Sequence, residues 1–285
     1  LSPFCSLYKL IKRQITRFEV YIAASILLGT LLTIFFIQKA VGKNLWLKPE
    51  VMICVPAGCT QVERRAAVDA TMAAGAKATY LIDEPLAAAI GAGVPIAEAS
   101  GNMILDVGGG SAETAVISLG GVVAHKSVRV GGNKLDEAIM DFARRNHALV
   151  IGDQTAEMVK IKIGSAIKLP REESIQVKGR DTVTGLPRTI TLTSSDVYQA
   201  LTKPLAQIVG VVKAVLEETP PELSSDIIDR GIVMSGGTAT LRNLDTLLTR
   251  EVGVPAYLAE EPLLCVVKGT GKAIENIDTY RRALR

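Results

Sequence analysis

The stretch that decides the fold is MILDVGGGSAETAVISLGG, residues 103–121. It consists of an apolar run that ends near Asp106, three consecutive glycines, a short polar step and a second apolar run. With the apolar residues that follow, the pattern predicts three strands, 103–107, 113–119 and 122–128, joined by glycine turns as an antiparallel meander. The turn after Asp106 is either a tight hairpin that needs positive φ or a loop that holds a phosphate.

Upstream of this stretch, apolar runs alternate with helical patterns, which is typical of an α/β protein. Residues 51–55 are predicted to form a buried strand, and residues 61–76 a helix that Thr60 can cap. A second strand is predicted over residues 78–82, and a further helix starts at Glu84. The order is therefore strand, helix, strand, helix before the meander.

Downstream of the meander, helices and strands alternate again. The predicted elements are helices over 135–145, 155–167 and 195–218, strands over 174–177 and 189–193 that form a β-excursion, and a strand over 231–235 followed by a helix through Leu248. We expect Ser194 or Ser195 to cap the long helix, which stops before Pro220 and Pro221. No stretch is typical of a linker, so the chain is expected to be one multi-lobed body.

Composition excludes some classes of function. The chain has 285 residues, of which 48% are hydrophobic and 21% charged, as in ordinary globular proteins. A net charge of +3 is too small for a nucleic-acid surface, so no nucleic-acid partner is expected. The 4 cysteines form no CxxC pair, and with only 2 histidines a zinc site is disfavoured. No Ser-His-Asp or Cys-His arrangement indicates covalent hydrolase chemistry.

Residues 20–37 form an apolar run without charge. Its length is at the lower limit for crossing a bilayer, and basic residues precede it. The run therefore suits either a membrane anchor or a buried helix, and both interpretations stay open.

Two glycine-rich turns could bind an anion. Successive glycine N–H groups after Asp106 can point toward one phosphate, and Asp106 itself could hold Mg²⁺ through the water shell of the ion. The second turn, at Gly236 and Gly237, follows a strand and precedes a predicted helix, whose N-terminus favours an anion or a polar nucleoside. Unrelated packing turns are the alternative. We interpret the two turns as two walls of a cleft.

Two further motifs carry acidic groups. Glu84 follows a predicted strand, so its carboxylate could point into a cleft and orient a water for attack on a phosphoryl group, whereas an acidic helix cap is the simpler alternative. Glu157 and Lys160 lie about one helical turn apart and share a face. A surface ion pair is the usual meaning of that spacing.

The order of these segments resembles the actin/Hsp70/sugar-kinase ATPase superfamily, and within it most closely the MreB family of bacterial actin homologues, the rod shape-determining proteins. The resemblance is carried by residues 54–65, 83–93, 106–121, 128–138, 161–166 and 230–244. It implies an α/β, actin-like ATPase (ribonuclease H-like) fold with two lobes around a nucleotide cleft and an incomplete first lobe. ATP and Mg²⁺ are the implied cofactors.

The resemblance also implies roles for single residues. Asp106 would lie near Mg²⁺, Ser111 would stand where the family usually has a catalytic Thr, and Glu84 would orient the hydrolytic water. Thr238 stands where a third glycine is usual. The implied cofactor-binding residues are Asp106, Gly108, Gly109 and Gly110 at the phosphates, Glu157, Met158, Val159 and Lys160 at the nucleoside, and Gly236, Gly237, Thr238, Ala239 and Thr240 on the adenine and ribose side.

Domains and partners follow from the same resemblance. The implied division is a divergent apolar segment 1–30, a partial subdomain IA over 31–97 and 262–285, subdomain IIA over 98–134 and 198–261, and subdomain IIB over 135–197. The implied function is ATP-dependent, membrane-associated filaments that govern rod shape by guiding cell-wall synthesis. Expected partners are further copies in antiparallel double protofilaments, the inner-membrane elongation machinery and the membrane surface, with a cytoplasmic location at the inner face of the cell membrane.

One family motif is absent from the sequence. No Asp-x-Gly-Thr, the first phosphate loop of the family, occurs before Val51. Because phosphoryl transfer depends on charge neutralisation from both sides, we expect weak Mg-ATP binding by these residues alone. The alternative function is a nucleotide-silent assembly or membrane scaffold of the same fold.

Overall fold

The computed structural model describes residues 48–280 and four helical residues before them, Ile34, Phe35, Ile37 and Lys39. Segment 1–30 and most of the apolar run 20–37 lie outside the described residues, so the choice between anchor and buried helix stays open. Among the residues that are described, no helix has both the length and the apolar character needed to span a membrane.

Residues 48–280 contain ten strands and eight helices. The strands are β1 Glu50–Val55, β2 Ala78–Asp83, β3 Asn102–Val107, β4 Ala112–Ser118, β5 Gly121–Val128, β6 Leu149–Val150, β7 Ser174–Asp181, β8 Pro187–Thr193, β9 Ile232–Ser235 and β10 Ala256–Leu258. The helices are α1 Gln61–Ala73, α2 Glu84–Gly91, α3 Gly132–His147, α4 Asp153–Ile163, α5 Ser194–Glu218, α6 Pro221–Arg230, α7 Leu244–Val252 and α8 Cys265–Glu275. Short 3₁₀ turns lie at Thr238–Thr240 and Pro262–Leu264.

The chain divides into two compact units. In the smaller unit, β1 pairs with β2, and α1 begins with the predicted cap at Thr60. The Thr60 hydroxyl accepts a hydrogen bond from the Glu63 N–H, and the Glu63 carboxylate accepts one from the Thr60 N–H, at 3.3 and 2.8 Å. The helix ends at Ala73 rather than at the predicted residue 76 because the chain turns at Gly75, which has a φ of 105°.

The larger unit is built on a five-stranded sheet in the order β10-β9-β3-β4-β5. The predicted meander is confirmed, since β3, β4 and β5 pair antiparallel. β9 pairs parallel with β3, so that Asp106 lies opposite Ser235 on one side and Glu113 on the other. This register brings the two glycine turns to the same end of the sheet. Residues of β3 and β4 such as Leu105 and Val116 are fully buried in the hydrophobic core.

The predicted β-excursion is confirmed as a separate sheet of three strands in the order β6-β7-β8. Its two long strands extend beyond the predicted bounds on the side of their connecting hairpin. The hairpin is stabilised by Asp181, whose carboxylate accepts hydrogen bonds from the N–H groups of Val183 and Thr184 at 2.8 and 2.9 Å. The Asp181 side chain therefore supplements the backbone hydrogen bonds between Asp181 and residues 185 and 186, and the strands run longer than their apolar alternation indicates.

Some predicted elements were wrong in detail. The cap of α5 is Thr193, not Ser194 or Ser195: its hydroxyl accepts from the Asp196 N–H at 3.2 Å, whereas the Ser194 hydroxyl accepts from the Glu173 N–H at 3.1 Å. The Pro220-Pro221 pair both ends α5 and begins α6, a helix that was not predicted, because proline fits the first turn of a helix.

The single helix predicted after the second glycine turn is also wrong. A 3₁₀ turn, Thr238–Thr240, follows the glycines, and α7 begins only at Leu244. Asn243, between them, has a φ of 61°, and its side chain donates to the Ser165 hydroxyl at 2.9 Å. This left-handed residue prevents one continuous helix. Strand β10 and helix α8 were not predicted.

The backbones of helices α2 and α8 meet directly at two glycines. A Cβ atom on Gly91 would overlap the backbone of Cys265, and one on Gly269 would overlap the backbone of Ala87. Both positions therefore accept only glycine, and the two helix backbones are in direct contact.

The assignment of the α5 cap to Thr193 predicts how substitutions at the start of this helix change the free energy of unfolding. We expect Thr193→Ala to lower the free energy of unfolding by about 1 kcal/mol, since it removes one of the two capping hydrogen bonds of α5. Ser195→Ala, two residues further along, should change it by much less. Urea unfolding of both variants is the measurement, and equal losses would contradict the assignment of the cap to Thr193.

Candidate functional site

The first glycine loop, Gly108, Gly109 and Gly110, connects β3 to β4. The Gly108 N–H donates to the Ser111 carbonyl at 2.9 Å, which closes the turn. The Gly108 carbonyl accepts from the Gly132 N–H at 3.0 Å and from the Thr238 hydroxyl at 2.8 Å. The loop is therefore tied both to the start of α3 and to the segment that follows the second glycine turn.

These segments approach too closely for side chains. A Cβ on Gly131 would lie 2.5 Å from the Gly108 carbonyl oxygen, and a Cβ on Gly132 would lie 2.8 Å from the Thr238 hydroxyl. Gly236 has a φ of 90°, and a Cβ there would overlap the backbone of Val107. A simple hairpin does not need glycines in two other segments, so the cluster indicates a built site rather than an isolated turn.

A cavity of about 500 Å³, the loop cavity, opens beside the first glycine loop. Its lining includes six of the residues expected from the sequence: Gly109, Glu157, Lys160, Gly237, Thr238 and Thr240. Sequence reasoning missed seven others: Gly132, Asn133, Asp136, Ile161, Leu241, Arg242 and Leu263. All of these except Leu263 lie in the segments 128–138, 161–166 and 230–244 that carry the family resemblance, but no role was assigned to them there.

Other predicted residues do not line the loop cavity. Val159 and Ala239 are buried in the hydrophobic core, and Met158 packs against it. Their predicted contact with a nucleoside stays a prediction, and their side chains serve packing. Gly108, Gly110 and Gly236 shape the backbone beside the cavity, whereas Glu84, Asp106 and Ser111 are absent from its lining.

Lys160 forms a nearly buried ion pair at the loop cavity. Its Nζ lies 2.9 Å from Asp136 Oδ2 and donates to the Gly132 carbonyl at 3.3 Å. The Lys160 and Asp136 side chains are 12% and 13% exposed. Lys160 therefore pairs with a residue of α3 and not with Glu157, so the surface-pair interpretation of the Glu157 and Lys160 spacing was wrong.

One carboxylate oxygen of Asp136 has no protein hydrogen-bond partner among the described residues. Oδ1 is buried and makes no hydrogen bond within the described part of the chain. Burial raises the pKa of Asp136, the Lys160 hydrogen bond and charge oppose that rise, and the charges of Glu157 and Asp153 add to it. An unsatisfied buried acceptor costs free energy, which a hydroxyl donor in the cavity would recover. With the volume of the cavity and the glycine backbone, this oxygen fits a sugar bearing phosphates.

A second group of acidic residues lies at the end of β3. Asp106 Oδ1 accepts from the Ser235 hydroxyl at 2.6 Å, and Glu113 Oε2 accepts from the Ala57 N–H at 3.3 Å. Burial raises the pKa of both carboxyls, although these hydrogen bonds oppose the rise. Glu113 was not predicted from the sequence. Among the described residues, no three acidic, His or Cys side chains are arranged to hold a metal by themselves.

Glu84 belongs to this acidic group. Its pKa is raised from 4.5 to about 7, first by burial and then by the charges of Glu113 and Asp106. Asp83, at the N-cap of α2, makes no side-chain capping hydrogen bond, so a helix cap does not account for the motif. A carboxylate with a pKa near neutral can both release and accept a proton under physiological conditions.

Comparison with known proteins gives the family. The family model described as MreB/Mbl protein matches residues 22–282. The chain belongs to the MreB/Mbl family. This confirms the resemblance inferred from the glycine turns and the acidic motifs, and with it the predicted α/β actin-like fold.

Individual MreB/Mbl relatives are similar over most of the chain. The cell shape-determining protein MreB of Escherichia coli (strain K12) is 51% identical over 244 residues, 85% of this chain and 70% of the relative. The cell shape-determining protein Mbl of Bacillus cereus is 46% identical over 252 residues, 88% of this chain and 76% of the relative. The crystal structure of MreB5 of Spiroplasma citri bound to AMPPNP superposes with a TM-score of 0.84 at 34% identity, covering 90% of this chain and 77% of that one.

The raised pKa of Glu84 predicts a pH-dependent stability. In the unfolded chain its pKa is near 4.5, and in the folded protein it is about 7, so the folded state binds the proton more tightly. The stabilisation by the protonated form is present at low pH and is lost as the pH rises from about 4.5 to about 7.

We therefore expect Glu84→Gln to be more stable relative to the unsubstituted protein at pH ~8 than at pH ~5. Urea unfolding at the two pH values measures the difference. Glu98→Gln, at an exposed position, is the control for a general effect of charge removal. The same difference for both variants would contradict the raised pKa.

Proposed function

We propose that this chain is a nucleotide-dependent cytoskeletal protein that binds ATP with Mg²⁺ and forms membrane-associated filaments governing rod cell shape. The observation that carries the proposal is the loop cavity, where the nearly buried pair of Asp136 and Lys160 lies beside two glycine turns in a chain of the MreB/Mbl family. The similar Spiroplasma citri protein was solved with AMPPNP, and the similar Escherichia coli protein is named for cell shape.

The first glycine loop supplies the donors for phosphate. The N–H groups of Gly109 and Gly110 donate no hydrogen bond within residues 48–280, and both residues are exposed. The carbonyls of Gly108 and Gly109 are already engaged by α3, so the loop is held in place while these N–H groups stay available. Backbone donors held in this way form an anion site.

The nucleoside would contact the other side of the loop cavity. Asp136 Oδ1 can accept from a sugar hydroxyl, while Lys160 favours the ionised form of that carboxylate and orients it. Glu157 and Thr240 lie beside them on the cavity wall. Leu263 adds an apolar contact surface for a base.

The acidic group would serve the chemistry. Asp106, oriented by Ser235, offers the oxygen ligand that Mg²⁺ prefers, and Mg²⁺ when bound neutralises phosphate charge. Glu84 would orient a water and accept its proton at the carboxylate, for which a pKa of about 7 is suited. Ser111 places a hydroxyl directly after the first glycine loop.

The subdomain division is proposed from the two sheets. The three-stranded sheet and helix α4 fall within 135–197, the proposed subdomain IIB. All strands of the five-stranded sheet fall within 98–134 and 198–261, the proposed subdomain IIA. The partial subdomain IA would comprise 31–97 and 262–285. From family membership we also propose that the filaments form antiparallel pairs and that their partners are the inner-membrane elongation machinery and the membrane surface. The proposed location is cytoplasmic, at the inner face of the cell membrane.

The position of Asp136 at the loop cavity predicts that substituting this residue lowers the affinity for nucleotide. Asp136→Asn keeps the size of the side chain but weakens both the pairing with Lys160 and acceptance from a sugar hydroxyl. We expect affinity for Mg-AMPPNP to fall about tenfold, the usual worth of one charged hydrogen bond. Calorimetric titration of the full-length protein is the measurement.

Asp141→Asn, an exposed position on the same helix α3, is the matched control and should bind as the unsubstituted protein does. Equal affinity of all three proteins would remove Asp136 from the site. If the unsubstituted full-length protein bound no nucleotide, the nucleotide-silent scaffold would replace the proposed function.

The role of Glu84 predicts a separation of binding from turnover. Glu84→Gln cannot accept a proton, so hydrolysis should slow by about 10²-fold or more while Mg-AMPPNP affinity is retained. Phosphate release and calorimetric titration on the same preparation measure the two quantities. Unchanged turnover would show that another group handles the water.

A further inference from the structure

A groove distinct from the loop cavity runs along one face of α5. Its volume is about 400 Å³, and it shares no lining residue with the loop cavity. Its floor is apolar and buried, formed by Leu205 and Val209 of α5, Leu247 of α7, and Ala166 after α4. We call it the α5 groove.

The shape of the α5 groove is elongated. Its lining residues on α5 extend from Tyr198 to Lys213, about 22 Å at the rise of an α-helix. Ala206 and Gly210, in the middle of this face, are exposed, and a Cβ on Gly210 would meet no atom within 4 Å. Small residues at this position let the backbone of a ligand come close. A shallow groove of several helical turns suits a helix better than a compact small molecule.

One end of the α5 groove carries surplus positive charge. Lys213 Nζ lies 3.7 Å from the Glu251 carboxylate, and Arg250 Nη2 lies 3.1 Å from the same carboxylate. Two cations thus share one carboxylate, and all three side chains are substantially exposed. Exposed pairs of this kind contribute little free energy, so an incoming carboxylate can join them at small cost.

We propose that the α5 groove is a docking site for an amphipathic helix of a partner protein that carries acidic residues at one end. The apolar stripe of that helix would lie on Leu205, Val209 and Leu247. Its acidic end would lie against Lys213 and Arg250. The charge surplus favours an acidic end over a basic end at this position, and the length of the groove corresponds to about three to four turns of bound helix.

The direct test uses a defined probe. A fluorescent, hydrocarbon-stapled peptide of about 16 residues carries leucines at helical i, i+4, i+7 and i+11 spacing and two glutamates in its last turn. Its twin carries two lysines there. Fluorescence anisotropy with the full-length protein should show at least tenfold tighter binding of the acidic peptide, with a difference that shrinks at high salt.

Two pairs of variants locate the binding. Gly210→Leu fills the groove, favours the helical state and should weaken acidic-peptide binding at least tenfold, whereas Gln207→Leu, exposed on α5 outside the groove, should not. Lys213→Glu combined with Arg250→Glu should invert the preference toward the basic peptide. Lys203→Glu, exposed on the same helix and outside the groove lining, should leave the preference unchanged.

Several results would overturn the proposal. They are equal affinity for the two peptides, undiminished binding by the Gly210→Leu protein, and a charge reversal without effect. A fourth is loss of self-association in the Gly210→Leu protein by sedimentation, which would assign the groove to a second copy of the chain. Because none of these positions lines the loop cavity, nucleotide affinity should be unchanged in every variant, which separates this test from that of the proposed function.

Discussion

The site depends on the close approach of backbone segments around Gly108. The carbonyl of this one residue accepts from the Gly132 N–H and the Thr238 hydroxyl, and so joins the meander, the start of α3 and the segment after β9. No side chain fits at Gly131 or Gly236 without displacing that backbone. Each hydrogen bond contributes only about 1 kcal/mol, but together they hold the first glycine loop against the start of α3 and the segment after β9 at the loop cavity. The shape of the cavity therefore depends on the lack of side chains at these glycines.

Part of this arrangement could be predicted from the sequence and part could not. The meander, the strand before the second glycine turn and the cap of α1 follow from local patterns: apolar runs, glycine turns and the position of Thr60. The parallel pairing of that strand with β3 was not predicted. Asp136 and Arg242 lie in the segments 128–138 and 230–244 that carry the family resemblance, but their residue types and spacing alone do not mark them as cavity residues. Their position at the cavity results from tertiary packing of α3 against α4 and of the loop before α7.

The misread elements share a physical cause. At the start of α5, either Thr193 or Ser194 could cap the helix. Ser194 does not, because its hydroxyl accepts a hydrogen bond from the N–H of Glu173, which is distant in sequence. At Asn243, a left-handed residue is stabilised by Ser165 from another segment. Lys160 likewise pairs across helices instead of along its own. In each case a long-range polar contact overrides a local preference that is worth about as much.

The direct backbone contact of α2 and α8 has a mechanical meaning for the acidic group. Glu84 is the first residue of α2, and Gly91 at the far end of that helix touches the backbone of Cys265, where α8 begins. Interleaved side chains can absorb small displacements by changing rotamers, but two backbones in contact cannot. At Gly91 and Gly269 there is therefore no rotamer that could absorb a displacement of α2 relative to α8, so the position of Glu84 is tied to the backbone of residues 265–269.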